Sequence, residues 1–242
     1  MYVGIKNIGF FEGGFGDTVL IVTLHQKDVK YELVCFDMDG TLTRVNSSWG
    51  WIHDYYGVDN ADSYELFCTG LIDEKEFMRR DIRMWLEKHP GITADDVAKQ
   101  FRSMPLIEGI QETVAALKSE GLRNVIVSGG IDSAARMIAD EFGFDDFVAD
   151  SLEVCDRGIL TGEGIMHVDL KDKGVNVREF QIKYGIEKQR TVSVGNSFTD
   201  VPMFDNSALS IAFNPIDEKV IEAADVTVES DNLADVLDII FE

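Results

Sequence analysis

The chain has 242 residues, of which 45% are hydrophobic and 27% charged, enough to bury a sizeable core in one or two domains. Its formal net charge of −22 excludes a nucleic-acid or anionic-membrane surface, either of which calls for clustered Lys and Arg. An anionic substrate must therefore be bound locally, by a cation or by backbone N–H groups.

Cys35, Cys68 and Cys155 are isolated and no C-x-x-C pair occurs, so a zinc site or a disulfide framework is not expected and reduced, cytosolic thiols fit best. The longest apolar stretches, such as "VLIVTL" (19–24), are too short to span a bilayer, and the N-terminus lacks a basic-then-apolar signal pattern.

In chain order, "GFFEGGFGDT" running into "VLIVTLH" reads as a glycine-rich loop and a strand, within an extension over residues 1–30. It is not a phosphate loop, because G-x-x-x-x-G-K-[ST] is absent. "YELVCF" is a short apolar strand that ends at Asp37. Residues 45–103 then read as several helices: "SWGWIHDYYG", "ADSYELFCTG", "DEKEFMRRDIRMWLEKH" and "TADDVAKQFRSM". In the third, Phe77, Ile82, Trp85 and Leu86 fall at near-helical spacing; Pro90–Gly91 ends it, and Thr93 caps the next.

The helix "GIQETVAALKSEG", stopping at Gly121, leads to the strand "NVIVSGG" (124–130). Residues 152–168 read as a hairpin turning near Asp156–Gly158. The helix "KGVNVREFQIKYG", the strand in "TVSVGNSFTD", the strand "ALSIAF", a helix around 216–223, the strand "ADVTVE" and the helix "LADVLDIIF" complete the chain. This alternation predicts an α/β protein with a parallel sheet covered on both faces and a helical insertion. In such sheets ligands bind beyond the carboxyl ends of the strands, where Asp37, Ser128, Gly195–Asn196 and Asp200 all fall.

Two like charges as close as Asp37 and Asp39 call for a metal, a proton-transfer role, or both. A carboxylate at a strand end can attack phosphorus and form an aspartyl-phosphate. Mg²⁺ would offset the repulsion between that nucleophile and a dianionic phosphate. Asp39 points to the same side and can protonate the leaving oxygen, then take a proton from water. Gly40 lets the backbone turn. Ser128 with Gly129–Gly130 suits phosphate binding, Lys173 can neutralise nucleophile and phosphate, and Asn196 and Asp200 can offer oxygen to Mg²⁺. Each stretch taken alone also reads as an ordinary turn, solvated charge or helix start.

Together and in this order, they resemble the haloacid dehalogenase superfamily of phosphohydrolases. Its first motif, D-x-D-G-T-[LV], is here Asp37-Met38-Asp39-Gly40-Thr41-Leu42; the second motif's Ser is Ser128, the third's Lys is Lys173, and the fourth, usually G-D-x-x-x-D, is Gly195-Asn196-Ser197-Phe198-Thr199-Asp200. "VSGG", "DKG" and "VGNSFTDVPMF" are similar to the phosphoserine phosphatase-like branch.

The resemblance implies a Rossmann-like core over 31–44 and 104–242, with an inserted helical cap over 45–103. It implies that Asp37 is nucleophile and Mg²⁺ ligand, and that Asp39 is general acid/base and gives its backbone carbonyl to the metal. Ser128 and Gly129 would hold the phosphoryl oxygens, Lys173 would pair with Asp37 and the phosphate, and Asn196 and Asp200 would complete the metal site. Thr41, Asn46 and Arg80 join the expected substrate-binding residues.

Two departures stand out. Asn196 replaces the usual Asp. Asn46 stands where phosphoserine phosphatases carry a Glu that meets the serine amino group, and the cap arginine that pairs with the serine carboxylate has only the shifted candidates Arg79, Arg80 and Arg83, with Asp81 nearest in register.

The expectation is a cytoplasmic, Mg²⁺-dependent phosphatase of a small phosphorylated metabolite, with phosphoserine the best single named substrate. A sugar, polyol or nucleotide phosphate is the alternative, and a silent phosphate-binding regulator a lesser one. Exposed apolar residues in the 1–30 extension would suit a homodimer.

Overall fold

The run Leu33–Phe36 is apolar and fully buried, as a central strand covered on both faces must be. It is β1 in a computed structural model that describes residues 30–242. The glycine-rich loop and the strand expected within residues 1–30, and any dimer contact they would make, lie outside the described residues. Tyr31–Glu242 form one compact unit.

Four helices follow β1: α1 (Ser48–Tyr56), α2 (Ala61–Cys68), α3 (Glu74–Lys88) and α4 (Ala94–Gln100). Then come α5 (Ile110–Ser119), β2 (Arg123–Ile131), α6 (Asp132–Phe142), β3 (Asp146–Val154) and β4 (Leu160–Ile165). The chain closes with α7 (Gly174–Tyr184), β5 (Thr191–Gly195), α8 (Val201–Phe204), β6 (Leu209–Phe213), α9 (Glu218–Ala223), β7 (Val226–Val228) and α10 (Val236–Phe241).

The strands form one seven-stranded sheet in the order β4-β3-β2-β1-β5-β6-β7. Every neighbouring pair is parallel except β3–β4. Leu33, Cys35, Val125 and Val127 face a core layer built from Val177 and Phe180 of α7, Met203 and Phe204 of α8 and Val220 of α9. Val34 and Phe36 point the other way, where Phe36 meets Phe144 edge-on at 5.8 Å.

Two elements differ from the sequence reading. Helix α6 was not expected, although its alanine-rich inner face, Ala134, Ala135, Ile138 and Ala139, is buried. The hairpin begins earlier than residue 152: the first part of β3 pairs in parallel with β2, and its second part pairs antiparallel with β4. Asp150 interrupts the apolar pattern there, because its carboxylate accepts from the main-chain N–H groups of His167 (2.7 Å) and Val168 (3.0 Å).

The helical insertion meets the hairpin directly. Thr93 caps α4 in a reciprocal bond with Asp96, and Leu160 N–H donates to Ile92 O at 2.9 Å. Arg79 and Arg83 of α3 both pair with Glu163 of β4, at 2.8 and 3.0 Å. The inward side of α3 carries Met78, Asp81, Ile82 and Trp85, so an acid lies among the apolar residues there.

Glu74 opens α3 and accepts from Leu170 N–H at 3.4 Å. Burial, then the Asp150 carboxylate, pushes Glu74 up to about 7 from 4.5. A carboxyl raised on folding favours the fold while protonated, and that contribution is lost as pH rises through the folded value. Glu74→Gln keeps an acceptor, so it is expected to leave melting near about pH 4 unchanged and to stabilise near about pH 8 by on the order of 1 kcal/mol, a figure discounted for partial exposure. Thermal melts at the two pH values check this.

Candidate active site

Asp37 is the first residue beyond β1, and its N–H still donates to Val194 O of β5 at 2.9 Å. The chain then turns: Thr41, Leu42 and Thr43 all donate their N–H groups to Met38 O. Gly40 permits this turn with φ 85°, and a Cβ there would collide with the Asn196 side chain.

Lys173, just before α7, extends its ammonium between two buried carboxylates and donates to Asp37 Oδ1 and Asp200 Oδ1, each at 2.7 Å. All three residues are at most 3% exposed. Asp200 Oδ2 accepts from the N–H groups of Asn196 (2.9 Å) and Ser197 (3.0 Å), which holds the turn after β5.

Asp39 Oδ2 accepts from Ser48 Oγ at 2.9 Å, and Ser48 Oγ accepts from Ile131 N–H at 3.0 Å. Asp39 Oδ1 is buried without a partner. In β2, pairing with β3 breaks between Val127 and Ile131, so Ser128–Gly130 leave the ladder. Ser128 Oγ accepts from Gly130 N–H at 3.0 Å and keeps its own proton to donate.

Burial, then the Asp200 carboxylate, pushes Asp37 up to about 7, against the pull of Lys173. Burial raises Asp39 to about 6, opposed by its bonds with Ser48. Burial alone would lower the Lys173 ammonium, but Asp200 and Asp37 outweigh it and hold Lys173 above its ordinary value. Three carboxylates, two of them buried, thus share one cation, and the pocket is short of positive charge.

Among the described residues no three His, Cys, Asp or Glu side chains form a ready metal cage. The donors that do converge are carboxylate and amide groups beside two unpartnered buried atoms, Asp39 Oδ1 and Asn196 Nδ2. Few protein ligands, all hard oxygen, with charge left over for a divalent ion, is a set that suits Mg²⁺ rather than zinc; the Asn196 amide can offer its oxygen by turning over.

A cavity of about 500 Å³ opens over this cluster. Of the expected residues, Asp37, Asp39, Asn46, Ser128, Gly129, Lys173 and Asn196 line it. Thr41 does not: it is buried and donates to Asp37 Oδ2 at 3.3 Å, so it meets Asp37 and not the cavity. Arg80 does not either, because its guanidinium pairs with Glu76 one turn back on the same helix, at 2.9 Å. Asp200 lies behind Lys173.

Sequence reasoning missed Ser48 and the aromatic wall. Trp49 Nε1 donates to Gly129 O at 3.0 Å, joining α1 to the β2 loop. The "NSSWG" stretch signals a helix start, but nothing local signals that its second Ser reaches Asp39.

The haloacid dehalogenase-like hydrolase family model matches residues 34–205. A phosphoserine phosphatase of Idiomarina loihiensis is 32% identical over 209 residues, 85% of this chain and 91% of that protein. A phosphoserine phosphatase of Mycobacterium tuberculosis is 34% identical over 151 residues, 62% of this chain but only 36% of that longer protein. A solved phospho-aspartyl intermediate analogue of phosphoserine phosphatase superposes with a TM-score of 0.72 at 29% identity, covering 87% of this chain and 99% of that one.

Gly130 of β2 leaves no room for a side chain: a Cβ there would lie 2.5 Å from Ser48 Oγ and 2.6 Å from Asp39 Oδ2. Gly130→Ala is expected to displace the Asp39–Ser48 pair and cost about 1–3 kcal/mol, measured by denaturant unfolding.

Proposed function

The chain belongs to the haloacid dehalogenase-like hydrolase family, and on that premise we propose that it is a Mg²⁺-dependent phosphatase that hydrolyses a small phosphomonoester through an aspartyl-phosphate on Asp37. The observation that carries this reading is the buried Asp37, gripped by Lys173 at 2.7 Å in a cavity that Ser128 and Gly129 also line. In its domain reading, residues 45–103 are the cap, 31–44 and 104–242 the core, and 1–30 an extension.

Lys173 holds Asp37 Oδ1 and offsets the charge of an incoming phosphate, while Ser128 Oγ–H and Gly129 N–H meet its oxygens. Asp37 attacks phosphorus as the bond to the alcohol oxygen breaks, and Asp39 supplies that oxygen with a proton. A carboxyl raised to about 6 is suited to both halves of this exchange near neutral pH. Asp39 then takes a proton from the water that cleaves the acyl-phosphate, releasing phosphate and restoring Asp37. Asp37, the Asp39 backbone carbonyl, Asn196 and Asp200 are the groups that would hold Mg²⁺, which when bound supplies charge neutralisation for the transferring phosphoryl group.

Phosphoserine is the substrate in the relatives' names. Exposed Cys68 and Cys155 with no disulfide partner support a cytoplasmic setting; among the described residues no helix is long and apolar enough to cross a membrane. The full set of Asp37, Asp39, Lys173 and Asp200 argues against a catalytically silent regulator.

Asp37→Asn is expected to lower phosphate release by roughly three orders of magnitude or more with a native melting profile, because an amide cannot form the acyl-phosphate. Activity within a few-fold of wild type would remove Asp37 from this role. Asn196→Asp is expected to bind Mg²⁺ roughly tenfold tighter, since it adds a carboxylate to a hard-cation site; calorimetric titration of Mg²⁺ into wild type and variant checks this.

A further inference from the structure

The same cavity is lined by Trp49, Tyr64, Phe67 and Phe77, together with Asp81 and Asn60. Phe67 stacks on Phe77 at 5.0 Å, and Trp49 stacks on Trp85 at 5.6 Å. Lys173, already committed to Asp37 and Asp200, is the only Lys or Arg among the described residues lining the cavity.

Asp81 is only 1% exposed. Its two oxygens accept from Asn60 Nδ2, each at 3.2 Å. His53 Nε2 stands 3.1 Å from Asp81 Oδ2 but without hydrogen-bond alignment. His53 Nδ1 accepts from Trp85 Nε1 at 2.8 Å. An indole N–H can only donate, so Nδ1 accepts and the ring proton sits on Nε2, on the side of Asp81. The arginines of α3 are turned elsewhere: Arg79 and Arg83 to Glu163, Arg80 to Glu76. Asp81 is therefore a buried carboxylate with no cationic partner among the described residues, set in a cavity with aromatic walls. A buried charge in that position is costly until a cation meets it, and aromatic faces attract cations too.

We infer that the alcohol half of the substrate carries a positive charge and no carboxylate: a phosphomonoester of a small amino alcohol, its ammonium received by Asp81 and the aromatic walls. This rests on the phosphatase reading above and names its substrate class. A carboxylate-bearing alcohol such as serine would place a second anion in a cavity that already holds Asp81 and offers it no arginine. Asn46 lines the same cavity and carries no charge, so Asp81 is the acid at this end of the cavity left to receive the amine.

The test compares kcat/KM for O-phosphoethanolamine, L-phosphoserine and glycerol 3-phosphate in the full chain with Mg²⁺, for wild type and Asp81→Asn. Wild type is expected to favour phosphoethanolamine over each of the others by about tenfold or more, and Asp81→Asn to erase most of that preference. Should Asp81→Asn not fold, Tyr64→Leu, at an exposed position of the wall, is expected to lower the same ratio. A wild-type preference for phosphoserine or glycerol 3-phosphate, or variants that lose all substrates in proportion, overturns the inference and leaves the phosphatase reading intact. Release of phosphate from none of the three overturns both.

Discussion

The site depends on one buried ammonium. Lys173 reaches Asp37 across 136 residues of sequence and Asp200 across 27, with both contacts at 2.7 Å. Its charge makes it possible to bury two carboxylates beyond adjacent strands, and sheet order makes it geometrically possible, because β1 and β5 are neighbours although the whole insertion and three other strands separate them in sequence. Such a cluster is a poor device for stability, since the desolvation of each ion offsets most of the attraction. It is a good device for chemistry. The ammonium is already desolvated and aimed, so little reorganisation remains when a phosphate arrives.

The Asp39 side of the site is held differently. Asp39 takes its orientation from Ser48, on the first turn of α1, and Ser48 is fixed in turn by Ile131 N–H at the end of β2. Trp49, one residue on, holds Gly129 O. The start of α1 therefore touches both the loop that carries Asp39 and the loop that carries Ser128. A rearrangement of the insertion that shifts α1 would disturb Asp39 and the Ser128 loop together. Asp37, anchored through Lys173, would feel it less. The insertion is also not separable from the sheet, because the β3–β4 hairpin meets it through Glu163 and the Leu160–Ile92 bond.

Charge divides the cavity into two ends with different needs. At one end three carboxylates face one lysine, which suits a divalent ion and a phosphate arriving together. At the other, a single carboxylate lies among aromatic rings. A strongly acidic chain that acts on an anion must supply its positive charge locally, and here the arginines of α3 are spent on Glu76 and Glu163, away from the cavity.

Much of this was legible in the sequence. β1, β2, β5 and β6 are short apolar runs bounded by polar or glycine residues, and local burial demands are strong enough to mark them. Asp37, Asp39, Ser128 and Asn196 could be placed at strand ends by counting along those runs, because the carboxyl edge of a parallel sheet is where such side chains meet; Lys173, in the loop before α7, was legible only through its place in the order of the family's motifs. Helix α6 and the first part of β3 were less legible: alanine gives a weak periodic signal, and Asp150 breaks the apolar pattern for a bond that only the folded 167–168 backbone provides. What only the tertiary structure decided is which way the side chains of the insertion face. Helical spacing put Arg80 and Asp81 a residue apart and could not choose between them; Arg80 found Glu76 on its own surface, while Asp81 was carried inward beside Ile82 and Trp85 by the packing of α3. Thr41 and Ser48 likewise look like ordinary turn and helix-start residues until the fold brings Asp37 and Asp39 within reach, since hydrogen-bond partners distant along the chain are set by how elements pack and not by the order of residues within any one of them.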